Sequence, residues 1–165
     1  MTIRVAIVDD HALIRQGLKT LLIEMGMEVV GEAASGQQAI QLAEEQTPDV
    51  MLLDIRMKDC DGLTALPQIK AASAQTQVII LTTYSNPAYF SQAVRNGAAG
   101  YLLKESEPED IVDAIQAAAA RNHLFDPNLL SMVVGGGDHE TPQPDPTPQI
   151  KTETPGIEPI SDREY

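Results

Sequence analysis

The first 134 residues alternate two hydrophobic patterns. Short apolar runs recur: RVAIV at 4–8, EVVGEA at 28–33, DVMLLD at 49–54, QVIILTT at 77–83 and GYLLK at 100–104. Continuous apolar runs of this length are expected of strands covered on both faces. Between them, apolar residues fall at helical spacing. Ile14, Leu18, Leu21, Leu22 and Met25 mark a first helix, and Gly26 stops it. Ser35 with Gln38 forms a capping-box pattern that opens a second. Pro67 would break a third helix begun at Asp61, so the pattern places that helix over 64–72 with Thr64 as its cap. Asn86 and Pro87 read as the cap and first residue of a fourth. Ser106, Pro108 and Glu109 open a fifth as a capping box. The stretch DPNLLSMVV reads as a short extra helix packed against the domain. Five β–α units with short connections predict an α/β fold, a flavodoxin-like, doubly wound, five-stranded parallel sheet in the order 2-1-3-4-5.

The alternation ends at the glycines 135–137. Six of the eleven prolines lie beyond them, and apolar residues there are few. Such a segment buries too little surface to offset its ordering entropy and reads as a linker of extended, polyproline-like character over 135–158. Apolar residues make up 43% of the 165, which is ordinary for a soluble domain with a real core. The formal net charge of −13 argues against this chain gripping a phosphate backbone by itself. One cysteine, Cys60, excludes an internal disulfide and fits a reducing compartment. No apolar run approaches the roughly 20 residues that span a bilayer. The N-terminal apolar run ends in acids, unlike a signal peptide, so the expected location is cytoplasmic with no membrane partner.

The candidate chemistry lies where the strands stop. In open α/β sheets ligands bind outside the carboxyl ends of the strands. The first strand runs straight into Asp9 and Asp10, the third ends in Asp54, the fourth in Thr82 and Thr83, the fifth in Lys104. Each has an ordinary alternative: Asp10 or Asp54 as a cap, Thr82 as a strand former, Lys104 as a solvated charge. Their convergence on one rim favours a site. Adjacent carboxylates repel, and burial adds to that cost. Three carboxylates in one cleft suit Mg²⁺, which takes a few carboxylates and keeps several waters. The ion would offset the repulsion and neutralise an incoming phosphoryl group. A carboxylate can act as the nucleophile and form an aspartyl-phosphate, with Lys104 and the Thr82 hydroxyl on its oxygens.

These residues resemble a two-component response regulator receiver domain of the NarL/FixJ group. VDDHALIRQGL is similar to that group's opening, LLDIRMKDCDG to its phosphoacceptor strand and loop, and ILTTY and GAAGYLLK to its fourth and fifth strands. The resemblance covers about residues 3–134, the expected receiver domain being 1–134. It implies Asp54 as phosphoacceptor, and Asp10 and Asp54 as direct Mg²⁺ ligands with Asp9 acting mainly through water. The backbone carbonyl of Arg56 would be a further ligand. Thr82 would be the switch hydroxyl, Tyr101 the switch aromatic that rotates inward, and Lys104 the phosphate-binding lysine. It also implies a sensor histidine kinase as partner and a homodimer on phosphorylation, through the fourth helix, fifth strand and fifth helix or through the first and fifth helices. Two positions depart from the pattern. Lys58 stands where proline is frequent, which predicts a looser loop with an extra cation. Glu105 stands where many members have a cis proline. The final ISDREY, within 159–165, is similar to the start of a LuxR-type helix-turn-helix domain, so DNA binding is expected only through a C-terminal domain missing from this sequence.

Three rivals fit less well. A haloacid dehalogenase-type phosphatase needs Asp-x-Asp, but His11 and Arg56 stand two residues after Asp9 and Asp54. A flavodoxin needs a Ser/Thr/Gly-rich loop where this chain has DDHAL. A stand-alone receiver would signal by protein contact alone. His11 reads as a helix-start residue rather than a metal ligand, Cys60 as a loop spacer, and His123 and His139 as surface or linker residues.

Overall fold

A computed structural model of the chain describes residues 2–121. Five strands, β1 (Arg4–Val8), β2 (Glu28–Ala33), β3 (Val50–Leu53), β4 (Gln77–Thr82) and β5 (Gly100–Leu103), alternate with α1 (Ala12–Glu24), α2 (Gly36–Gln46), α3 (Gly62–Ala72), α4 (Pro87–Arg95) and α5 (Pro108–Ala119). All neighbouring strands are parallel, in the order β2-β1-β3-β4-β5. The expected flavodoxin-like order is the observed one.

The apolar runs of β1, β3 and β4 are continuous because the inner strands have two dry faces. Ala6, Val8, Met51, Leu53, Val78 and Ile80 point into one cluster with side chains of α2, α3 and α4. Val5, Ile7, Val50, Leu52, Ile79 and Leu81 point into the other, under α1 and α5. Alternation along each strand thus supplies both layers.

Three helix expectations change in detail. In α1 only Leu22 is buried, whereas Ile14 is 38% and Met25 51% exposed. That helix lies over β1 and the edge strand β2, where the sheet margin leaves its outer side open. Helix α3 begins at Gly62, not at Thr64, and Asp61 is its cap, accepting from the Leu63 N–H at 2.7 Å. Pro67 sits inside it. Proline has no N–H for the carbonyl four residues back, and the side-chain amide of Asn96 supplies that bond instead, donating to the Leu63 carbonyl at 3.0 Å. Helix α5 is capped by the extended residue Glu107 with no side-chain cap bond, so Ser106 forms no capping box. Pro108 removes one donor that would need a cap, and Glu109 and Asp110 face the positive end of the helix.

Other local signals hold. Gly26 takes φ +82° after α1, the Ser35 hydroxyl accepts from Gln38 N–H, and Asn86 caps α4. The expected helix in DPNLLSMVV, the linker 135–158, the segment 159–165, His123 and His139 lie outside the described residues.

Candidate functional site

Sheet hydrogen bonds continue one residue past the strands and fix where the polar residues stand. Asp9 N–H donates to the Ala33 carbonyl at 3.0 Å, Asp54 N–H to Val8 at 3.0 Å, and Lys104 N–H to Thr82 at 2.8 Å. The carboxyl rim therefore gathers Asp9, Asp10, Asp54, Thr82 and Lys104. Asp9, Asp54 and Thr82 are 2%, 4% and 0% exposed.

Lys104 Nζ lies 2.9 Å from Asp54 Oδ2 and 2.5 Å from Asp9 Oδ2. Burial pulls its pKa down, but hydrogen bonds and charge from Asp9 and Asp54 outweigh that and leave it raised. Asp54 Oδ1 accepts from the Ile55 N–H at 2.8 Å. Burial pushes the Asp54 pKa up, and Lys104 opposes the shift without cancelling it.

Asp9 is held on every side. Its Oδ1 accepts from the backbone N–H of His11 at 2.9 Å and faces that residue's Nδ1, also at 2.9 Å. Arg15 grips its carbonyl at 2.6 Å while pairing with Glu32. Asp10 is different. Its Oδ1 is buried and has no hydrogen-bond partner among the described residues, although His11 Nδ1 is 3.0 Å away. Buried polar atoms are nearly always satisfied. A lone oxygen beside two more carboxylates is a donor set for a hard dication. One ligand atom from each of Asp9, Asp10, His11 and Asp54 falls within 4.8 Å of the others. The donors thus fit a divalent cation such as Mg²⁺.

The loop after Asp54 carries residues that its sequence pattern did not single out. A Cβ on Gly62 would lie 2.0 Å from the Asp54 carbonyl oxygen, so only glycine fits there. Asp59 accepts from Gly36 and Gln37 N–H at 2.9 and 3.0 Å, tying the loop to the start of α2. These two bonds hold its carboxyl below the usual range. Cys60 packs on Gly36, and burial, with Asp59 and Asp61, raises its pKa. A loop with Lys58 in place of proline is thus pinned by other means. Lys58 itself is exposed and forms no ion pair among the described residues. No peptide bond among those residues is cis, so Glu105 follows a trans bond.

On the other side, the backbone of Tyr84 joins two of the predicted switch residues. Its N–H donates to the Thr82 hydroxyl at 3.3 Å, and its carbonyl accepts from the Tyr101 hydroxyl at 2.5 Å. Tyr101 is half-buried, packed against the core and edge-to-face with Phe90 at 5.7 Å. Burial raises its pKa to about 12, with the Asn86 backbone opposing. The Arg56 guanidinium lies 4.8 Å above the Tyr84 ring. Tyr84, Arg15, Asp59 and Gly62 were missed because their roles depend on backbone groups brought in by other loops. Of these, only Gly62 lay in a recognisable turn.

The description "Response regulator receiver domain" matches residues 5–116. Over 124 residues the chain is 42% identical to the uncharacterized transcriptional regulatory protein YxjL of Bacillus subtilis, covering 74% of this chain and 57% of that one. Over 131 residues it is 39% identical to the response regulator protein VraR of Staphylococcus aureus, covering 79% and 63%. The chain thus spans about three fifths of the length of these relatives. A solved two-component response regulator of the LuxR family from an Aurantimonas species superposes with TM-score 0.73 at 31% identity, over 82% of this chain and 97% of that one. The chain belongs to the response regulator receiver domain family. Its relatives include the response regulator protein VraR and a solved two-component response regulator of the LuxR family. Among the described residues no helix is long and apolar enough to cross a membrane.

Proposed function

We propose that this chain receives a phosphoryl group on Asp54 from a sensor histidine kinase or a small phosphodonor. The observation that carries this reading is the seat of Asp54: a buried carboxylate with Lys104 Nζ at 2.9 Å, beside the unpaired buried oxygen of Asp10. A carboxylate oxygen of Asp54 attacks phosphorus as the bond to the donor breaks, leaving an aspartyl-phosphate. Asp10 and Asp54 would hold Mg²⁺ directly, with the Arg56 carbonyl as a further ligand and Asp9, already shared by Lys104 and His11, acting mainly through water. When bound, the ion supplies charge neutralisation for the transferring group. Lys104 moves from carboxylate to phosphoryl oxygen, and the Thr82 hydroxyl donates a second hydrogen bond there.

The long bond from Tyr84 N–H to Thr82 is easily exchanged, and Tyr84 also anchors Tyr101. A turn of Thr82 toward the phosphoryl group therefore biases the Tyr84 loop and the seating of Tyr101. This is a two-state element biased by a local charge event. The surface around α4, β5 and α5 would then change, and a homodimer would form, through that face or through α1 and α5. DNA binding, in this reading, belongs to a LuxR-type output domain in a cytoplasmic transcription regulator.

Incubation with a small phosphodonor and Mg²⁺ should add one phosphoryl mass to the chain by intact-mass measurement, and none to Asp54→Asn. Equal gain in both would remove Asp54 as the acceptor.

A further inference from the structure

We propose that His11 is a metal-selectivity residue. Its imidazole Nδ1 joins the oxygen donors around Asp10 and Asp54 as a ligand for a first-row transition-metal dication such as Co²⁺ or Ni²⁺, while Mg²⁺ is held by oxygen donors alone. This rests on the reading that the three acids hold a divalent cation.

The ring is placed for it. Nδ1 stands 2.9 Å from Asp9 Oδ1 and 3.0 Å from Asp10 Oδ1. Two donors at right angles on an octahedral ion, each about 2.1 Å from it, are about 3.0 Å apart. Around a tetrahedral zinc ion the same donors would be about 3.4 Å apart. The spacing matches an octahedral bite. Nδ1 has at most one hydrogen, and its hydrogen bond is with Asp9 Oδ1, so Asp10 Oδ1 stays without one at 3.0 Å. The two atoms meet at ligand spacing but without donor alignment.

The ring's one hydrogen bond in the ion-free chain is from Nδ1 to Asp9 Oδ1, a contact that a bound ion would replace. His11 is the residue before α1, but its side chain makes no cap bond. The contacts that shape the turn are backbone ones: its N–H to Asp9 Oδ1 at 2.9 Å, and its carbonyl from Arg15 N–H at 3.1 Å. The side chain is 66% exposed, so it has room to turn Nδ1 onto an ion. Imidazole suits the later first-row metals, whereas Mg²⁺ takes oxygen donors.

The test is calorimetric titration of the full chain with MgCl₂, CoCl₂ and NiCl₂, in wild type, His11→Ala and Asp10→Asn. Co²⁺ absorption and paramagnetic broadening of the His11 ring signals are read in parallel. Because the turn is held by backbone groups, His11→Ala should fold. It should lose about tenfold or more in Co²⁺ and Ni²⁺ affinity, the scale seen even for partners one shell out from a metal. Its Mg²⁺ affinity should stay within about twofold, since Mg²⁺ is held by oxygen. Asp10→Asn should weaken all three ions. Unchanged Co²⁺ affinity in His11→Ala overturns the proposal, as do equal losses for Mg²⁺ and Co²⁺, which would make the ring a support for Asp9. Co²⁺ binding undiminished in Asp10→Asn also overturns it, by assigning the ion to the other histidines. If Mg²⁺ binds and depends on Asp10 while His11 is silent, only the selectivity role fails. If wild type binds no ion, the cation reading fails with it.

Discussion

At the amino end of the sheet, Thr76 is fully buried. Its hydroxyl donates to the Pro48 carbonyl and shares a hydrogen bond with Ser73, both at 2.7 Å. Lys70 closes the same corner by donating to the Ala74 and Thr76 carbonyls at 3.0 and 2.7 Å. At the carboxyl end, Asp9 and Asp54 are as deeply buried, share one lysine, and stand beside an acid with an unpaired oxygen. One end uses buried polarity to fasten loops together, with hydroxyls and one lysine matched to backbone carbonyls. The other keeps like charges together and leaves one acceptor open. Local rules broken at a single place mark where binding rather than stability shaped the chain.

The contrast breaks most sharply at Lys104. Lys104→Met leaves Asp9 and Asp54 buried without their cation, and removing one partner of a buried pair destabilises by about 3–5 kcal/mol. Urea unfolding in EDTA should show a loss on that scale, and Mg²⁺ should restore part of it. At the opposite end, Thr76→Val orphans the Pro48 carbonyl and the Ser73 hydroxyl at a cost of about 1–3 kcal/mol. Its stabilisation by Mg²⁺ should equal that of wild type in the same assay.

Asp10→Asn sharpens the comparison with a smaller effect of opposite sign. It relieves like-charge repulsion, so in EDTA the variant should be more stable, by the few tenths to about 1 kcal/mol typical of partly exposed charges, seen as a higher melting temperature. Mg²⁺ should then add little, whereas Asp9→Asn should keep more of the response. The smallest effect is alkaline. The Tyr101 pKa is raised to about 12 in the fold, from 10. Below pH 10 its neutral form is present in both states and nothing is lost. Above pH 10 the unfolded chain ionises first, and stability falls as pH rises toward 12. Other groups also titrate at alkaline pH, so the measure is the difference between wild type and Tyr101→Phe. Wild type should lose more over pH 10–12.

The strands were legible because a sheet dry on both faces needs continuous apolar runs, and the acids were legible because those runs stop at them. The helix starts were less so. Pro67 argued for a late start to α3, since no local partner could serve the Leu63 carbonyl. That partner, Asn96, is 33 residues away. Ser106 resembled a cap, but the chain enters α5 one residue later, at Glu107. The rim residues with chemistry of their own, Asp9, Asp10, Asp54, Thr82 and Lys104, were found from strand ends. Those that act through backbone groups, Arg15, Asp59, Gly62 and Tyr84, needed the fold.

The bond from Asn96 to the Leu63 carbonyl also ties two positions together in inheritance. While residue 67 is proline, losing Asn96 strands a carbonyl inside α3. If residue 67 first becomes an N–H-bearing residue, the helix closes its own ladder and Asn96 becomes dispensable to it. The same pair of changes is therefore harmful in one order and mild in the other. A lineage that fixed proline here could reverse it freely, yet could not drift at position 96 until it had done so.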